Sequence, residues 1–309
     1  MNAWLTELPK AELHVHLEGS IDAGTLCELD PGLSREEALA GFAYNDFPGF
    51  LKAFGFVASR LREPQHYALV ARRMFTALAA QGVKYVEVTL SAGVVLWKGQ
   101  NLPTVFDAVA REGRKAAIDV WWNLDAVRQW GPVAAWDVVE FAASQVDSGV
   151  VSFGLGGNES TGPVEWFRPH FEFARQHGLR LTCHAGEAEG PASIWGSLEV
   201  GAERIGHGFR AIEDPLLVAY LRDHRVPLEI SVTSNVLTRT VGSLREHPVR
   251  KLYDAGVPLI INTDDPALFG VTLLDEYALL AREFGFTPAE LEGLARNSFT
   301  YAFKAIRTS

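Results

Sequence analysis

The chain has 309 residues, 48% hydrophobic and 21% charged, which is ample material for a folded core and excludes a disordered chain. Lys plus Arg number 28 against 38 Asp plus Glu, a formal net charge of −10; that excludes a sequence-independent grip on nucleic acid or an anionic membrane, because both need a basic footprint. Two distant cysteines, Cys27 and Cys183, exclude a disulfide framework and a cysteine-rich zinc knuckle.

The opening residues, Met1 to Glu7, carry no basic stretch ahead of an apolar run. No secretory signal is expected, and the chain reads as cytoplasmic. No apolar run reaches the roughly 18 residues that a membrane span needs.

In chain order, short β-branched runs alternate with stretches of helical period. A first strand is expected over 12–17, ending in His14-Val15-His16. Residues two apart on a strand share a face, so both imidazoles can reach one point. A segment rich in Gly, Pro and Phe follows, a gate insertion at about 30–62. Residues 29–33 run almost directly into 47–61, and Phe42, Phe47, Phe50, Phe54 and Phe56 are expected mostly to pack that insertion. A helix over 64–81 leads to strand two, 84–90. A helix over 103–114 leads to strand three, 118–124. A helix over 133–146 leads to strand four, 149–155, which ends in Gly156-Gly157. A helix over 164–177 leads to strand five, 180–184.

Strand five ends in Cys183-His184-Ala185-Gly186-Glu187, and strand six, 203–207, ends in Gly206-His207-Gly208. A helix over 215–224 precedes strand seven, 227–232. A helix over 249–255 precedes strand eight, 258–263, followed by Asp264-Asp265-Pro266. Helices over 273–284 and 288–306 close the chain. Eight βα units in this length predict one (β/α)8 TIM barrel across 1–309. A doubly wound sheet would want a glycine-rich phosphate loop after strand one, where Leu17-Glu18-Gly19-Ser20 stands instead.

His14, His16, His184, Glu187, His207, Asp264 and Asp265 all fall at the C-terminal ends of expected strands, the face where this fold builds active sites. Neighbouring carboxylates repel each other unless a cation sits among them. Three imidazoles and one carboxylate suit zinc or a similar divalent ion. Such an ion lowers the pKa of bound water to about 7. His66, His170, His177, His224 and His247 fall on helices or helix ends and read as surface or capping residues.

These motifs carry a resemblance. The chain resembles the adenosine deaminase family of the amidohydrolase superfamily. The matching segments are the run from Leu8 to Gly19, His184-Ala185-Gly186-Glu187, Arg204-Ile205-Gly206-His207-Gly208, Thr233-Ser234-Asn235 with Thr238, Asn262-Thr263-Asp264-Asp265-Pro266, and Asn297-Ser298-Phe299. The resemblance implies a barrel that holds one zinc ion per chain on His14, His16, His184 and Asp264. It implies Glu187 as the acid that protonates N1 of a 6-aminopurine. His207 would orient and help deprotonate the attacking water. Asp265 would bond purine N7, the N–H of Gly157 would meet N3, and Ser234 and Asn235 would support the site. The substrate it implies is a purine nucleoside.

Two features depart from the family pattern. Glu18 stands where adenosine-specific members have an Asp on the ribose 5′-hydroxyl, and the gate reads as short. Both admit adenosine, a nucleoside with a bulky 5′ group such as aminodeoxyfutalosine of menaquinone synthesis, or free adenine. Asn158 replaces an acidic residue common in the family. A binuclear amidohydrolase would want a Lys at the end of strand four, where Gly156-Gly157 stands. A non-catalytic barrel would have lost ligands or the acid, and all are present. The Cys-based motif of nucleic-acid deaminases is missing. Sequence leaves the oligomeric state open.

Overall fold

The computed structural model describes residues 2–306. Residue 1 and residues 307–309, the ends of the expected domain, lie outside them. Eight parallel strands follow one another in sequence order around a barrel. They are β1 (Lys10–His16), β2 (Val83–Leu90), β3 (Asp119–Val127), β4 (Val150–Gly156), β5 (Arg180–Ala185), β6 (Arg204–His207), β7 (Leu228–Ile230) and β8 (Leu259–Ile261). A strand covered by helices on one side and barrel interior on the other is buried on both faces. β4 shows this directly, with every residue buried. The TIM barrel expected from the βα alternation is the fold observed.

Helices begin where their first N–H groups find acceptors. Asp22 accepts from the Thr25 N–H, Asn101 from the Thr104 N–H and Thr287 from the Glu290 N–H. Such caps satisfy orphan donors and stabilise a helix by about 1 kcal/mol each.

Three joints in the barrel are thin, one of them β6 to β7, which pair only through Ile205 with Leu228 and Gly206 with Glu229. β4 and β5 pair only through Ser152 with Arg180 and Phe153 with Leu181. β8 meets β1 through one bridge, Val15 to Asp264. There the Asn262 side chain substitutes for a ladder, accepting from the Leu13 and His14 N–H groups at 2.8 and 3.0 Å. At the floor, Arg204 of β6 reaches across the interior to Glu87 of β2 and to Glu229 of β7. The Phe303 ring caps its guanidinium at 3.6 Å. A buried charge needs such pairing to offset its desolvation.

The structure corrects four expectations. A helix, Arg35–Gly41, stands inside the gate that read as short, between Ala23–Leu29 and Phe47–Ala58. Its signal is the capping box Ser34-x-x-Glu37. A crossover helix, Pro191–Glu199, joins β5 to β6 where none was expected. The last helix is Pro288–Thr300, ending before 306. β7 and β8 are three residues each, so Asn262 and Thr263 lie in a loop rather than in strand.

Candidate metal centre and active site

His14 and His16 sit at the end of β1 on the same inward face, with ring centroids 5.4 Å apart. His184 of β5 brings its Nε2 to 3.2 Å from that of His16. The Oδ1 of Asp264 lies 3.3 Å from the Nε2 of His14 and 3.3 Å from the Nε2 of His16. The ligand atoms of these four residues all fall within 4.8 Å of one another. Donors about 2.0–2.1 Å from a tetrahedral zinc ion stand roughly 3.3 Å apart. The observed spacings match that figure. The Nε2 of His14 is buried with no hydrogen-bond partner, as a ligand nitrogen would be before a cation takes its lone pair. The donor set therefore fits a divalent metal ion.

A second layer aims these donors. Glu229 accepts from the Nδ1 of His14 at 2.8 Å, which leaves Nε2 with its lone pair turned inward. Ser234 donates to the Oδ2 of Asp264 at 2.8 Å, leaving Oδ1 for the centre. The Oδ2 of Asp125 at the end of β3 stands 3.7 Å from the Nδ1 of His184. Outer partners of this kind fix ligand orientation. Gly206 is required beside His14, since a Cβ there would come 2.8 Å from its Cε1. Two residues carry strain: His207 has φ 60° and Asp264 φ 67°. Left-handed backbone at non-glycine residues costs roughly 1–3 kcal/mol and gathers at functional sites.

Glu187 is placed by its own loop. The N–H groups of Gly186, Glu187, Ala188 and Glu189 all point at the carboxylate of Glu159. Burial pushes the Glu187 carboxyl well above the usual range, and Asp264 and Glu159 push it further. A carboxyl held neutral in this way is a proton donor. The Nε2 of His207 lies 3.6 Å from its Oε2 and 4.0 Å from the Oδ2 of Asp264. Burial first, then the Asp264 charge, also holds Asp265 well up.

His16, His184, Glu187, His207, Asp264 and Asp265 face one cavity of about 490 Å³. Gly157 lines it with φ 92°, and a Cβ there would stand 2.2 Å from the Oε1 of Gln129. Glu18 is buried one layer behind the wall. It accepts from the N–H of Ser91 at 3.1 Å, and Ser91 itself lines the cavity. The outer half is aromatic. Phe47 and Phe54 of the gate line the cavity together with Trp97 and Trp130, and the two indoles stack at 5.4 Å and 8°. Trp97 is 70% exposed.

The structure thus brings His14, His16, His184, Glu187, His207, Asp264, Asp265 and Gly157 together and sets Glu18 behind them. Sequence reasoning missed Asp125, Glu159 and Glu229. Asp125 had a signal, a carboxylate at the end of a barrel strand. Glu159 and Glu229 had none. Phe47, Phe50 and Phe54 line the cavity, so most of the gate phenylalanines do more than pack. His170 and His247 are buried, not surface residues. Asn158 caps its own turn by accepting from the Ser160 N–H.

A family model described as adenosine deaminase matches residues 9–307. An aminodeoxyfutalosine deaminase from Streptomyces avermitilis is 38% identical over 317 residues, covering 98% of this chain and 88% of that protein. The crystal structure of an adenine deaminase from Arthrobacter aurescens superposes with a TM-score of 0.91 at 28% identity, covering 96% of this chain and 94% of that one. An amidohydrolase from Burkholderia ambifaria, solved with bound zinc, superposes with a TM-score of 0.91 at 25% identity, covering 98% and 88%. The match spans nearly the whole chain and the site it encloses: this protein belongs to the adenosine deaminase family and is a hydrolytic deaminase.

Proposed function

We propose that the chain holds one zinc ion on His14, His16, His184 and Asp264 and deaminates a 6-aminopurine nucleoside to its 6-oxo form. The observation that carries this reading is the convergence of four donors within 4.8 Å of one another, three of them on buried residues, beside a carboxyl that burial pushes well up. An ion of this type supplies a water-derived nucleophile at neutral pH. Asp265 and the Gly157 N–H orient the purine ring at N7 and N3. Glu187 gives its proton to N1 as the water oxygen bonds to C6, so the ring accepts the electron pair. One water proton restores Glu187. The C6–N bond then breaks, and the amino group leaves as ammonia with the remaining hydroxyl proton. His207 holds the attacking oxygen in line.

The outer cavity supports a substrate with an apolar 5′ extension. Lys98 is the cation along its wall among the described residues, and its ammonium is already bound to the Ala58 and Leu61 carbonyls at 2.6 Å each. A 5′-phosphate would find no free cation there among the described residues, whereas a ring would meet Trp97, Trp130 and Phe54. Aminodeoxyfutalosine is the reading that fits this lining, with adenosine next and adenine leaving the outer half unfilled.

Ammonia release from adenosine, deoxyadenosine, adenine, methylthioadenosine and aminodeoxyfutalosine tests the proposal. The highest kcat/KM is expected on a 5′-extended nucleoside, with one zinc per chain by metal analysis. Glu187→Gln should keep the zinc and lose ~10²–10⁴-fold in turnover. No ammonia from any of the five, or full activity in the Gln variant, overturns it.

A further inference from the structure

Behind His207 runs a chain of hydrogen bonds that ends on a backbone amide. The Val249 N–H donates to the Nδ1 of His247 at 3.1 Å. The Nε2 of His247 lies 3.2 Å from the Oδ1 of Asn235. The Nδ2 of Asn235 lies 3.1 Å from the Nδ1 of His207. Taken singly, the imidazole and amide contacts could run in either direction. A backbone N–H can only donate, and that removes the freedom.

The direction follows link by link. The Nδ1 of His247 accepts from Val249, so the hydrogen of that neutral ring sits on Nε2. The Nε2–H then donates to Asn235, whose facing atom must be its carbonyl oxygen. The amide nitrogen of Asn235 therefore faces His207 and donates to Nδ1. With Nδ1 accepting, the His207 hydrogen sits on Nε2, the atom turned toward Glu187 and Asp264. Every member is buried: His207 1%, Asn235 0% and His247 4% exposed. A flipped amide would set the Nε2–H of His247 against the amide N–H groups of Asn235, two donors face to face. In a buried network that costs ~1–3 kcal/mol for each unmade bond.

We infer that His247 is a positioning residue that, through Asn235, locks His207 in the tautomer with hydrogen on Nε2. The consequence reaches the reaction. A locked Nε2–H gives His207 a hydrogen to donate to the attacking oxygen and no lone pair there with which to take its proton. His207 therefore orients the nucleophile, and the departing proton goes to a carboxylate. This differs from the proton-removing part that the family resemblance implied for His207.

The kinetic part rests on the deamination proposed above; the tautomer does not. The experiment is therefore 15N NMR of the zinc-loaded, histidine-labelled full chain, with His207 assigned by its absence in His207→Gln. The expected spectrum shows hydrogen on Nε2 of His207 and a bare Nδ1, with or without substrate. In His247→Phe, the His207 signals should move toward a mixture of tautomers while zinc content stays at the wild-type value. On the best substrate, kcat should fall ~10–100-fold with KM changed less than about twofold. Asn235→Asp presents only acceptors when ionised and should move the hydrogen to Nδ1. Hydrogen on Nδ1 in the wild type, or an unchanged spectrum and kcat in His247→Phe, overturns the inference. If His247→Phe does not fold, the wild-type spectrum decides alone.

Discussion

Trp97 is an indole left largely in water at the rim of a cavity whose depth is polar and charged. Its stacking on Trp130 pre-forms a flat wall, so a ligand ring meets a surface that needs no ordering. Contact with one more aromatic ring is worth ~0.5–1.5 kcal/mol beyond area burial. Trp97→Ala should therefore raise KM for a 5′-aryl nucleoside by about 2–10-fold and leave KM for adenosine nearly unchanged. Steady-state ammonia release on both substrates checks it; equal loss on the two would mean that Trp97 only supports the fold. Nothing in the sequence marks this residue among eight tryptophans. Its role comes from which wall the barrel turns it toward. The candidate His and Asp ligands were legible for the opposite reason. Their residue types are costly at barrel-strand ends unless they do chemistry, so position and type pointed the same way.

The gate is the element that depends most on a single side chain. Lys98, next to the helix Ala92–Trp97, donates to the carbonyls of Ala58 and Leu61 and so ties off the end of the helix Phe47–Ala58. Lys98→Met leaves those carbonyls without a charged donor, at a cost of ~1–3 kcal/mol. Hydrogen exchange across Phe47–Ala58 should speed up, with the strands of the barrel protected as before. Exchange that rises equally in β1 to β8 would show that the tie serves the whole fold. Elements of this kind were unevenly legible. β2 announces itself by a β-branched run of full strand length, and β4 by a run of residues that are all buried. The helix Pro191–Glu199 does not, because Gly196 and two serines dilute its helical pattern. Gly196 is there for packing, since a Cβ would stand 2.9 Å from Val164. Tertiary contact overrides propensity at that point.

At the scale of the whole molecule, buried carboxylates set the pH range of stability. Glu276 is fully enclosed and accepts from the Val232 and Thr233 N–H groups at 3.1 and 3.0 Å, at the start of the helix that carries Ser234 and Asn235. Burial raises its carboxyl from 4.5 to about 7, against the pull of its hydrogen bonds to Thr233. A folded pKa above the unfolded one means that folding takes up a proton. The stability this group gives is complete below pH 4.5 and is lost as pH rises through about 7. Unfolding free energies from urea titration should fall between those limits by an amount on the order of 1–3 kcal/mol. Glu276→Gln, which cannot ionise, should flatten that slope even if it lowers the plateau. A slope unchanged in the variant would assign the effect elsewhere.

Two of the thin joints, β4 to β5 and β8 to β1, divide the barrel into halves of four strands. The candidate ligands divide the same way: His14 and His16 belong to the first half, His184 and Asp264 to the second. The catalytic ion would then be a rivet across the top of two half-shells, and the pair of Arg204 with Glu87 a rivet across the bottom. His14 and Asp264 lie at opposite ends of the barrel sequence, so the upper rivet closes a long loop of chain at the place where backbone pairing is weakest. Losing the ion would take away mechanical closure together with chemistry, and the barrel would loosen first along its own seams.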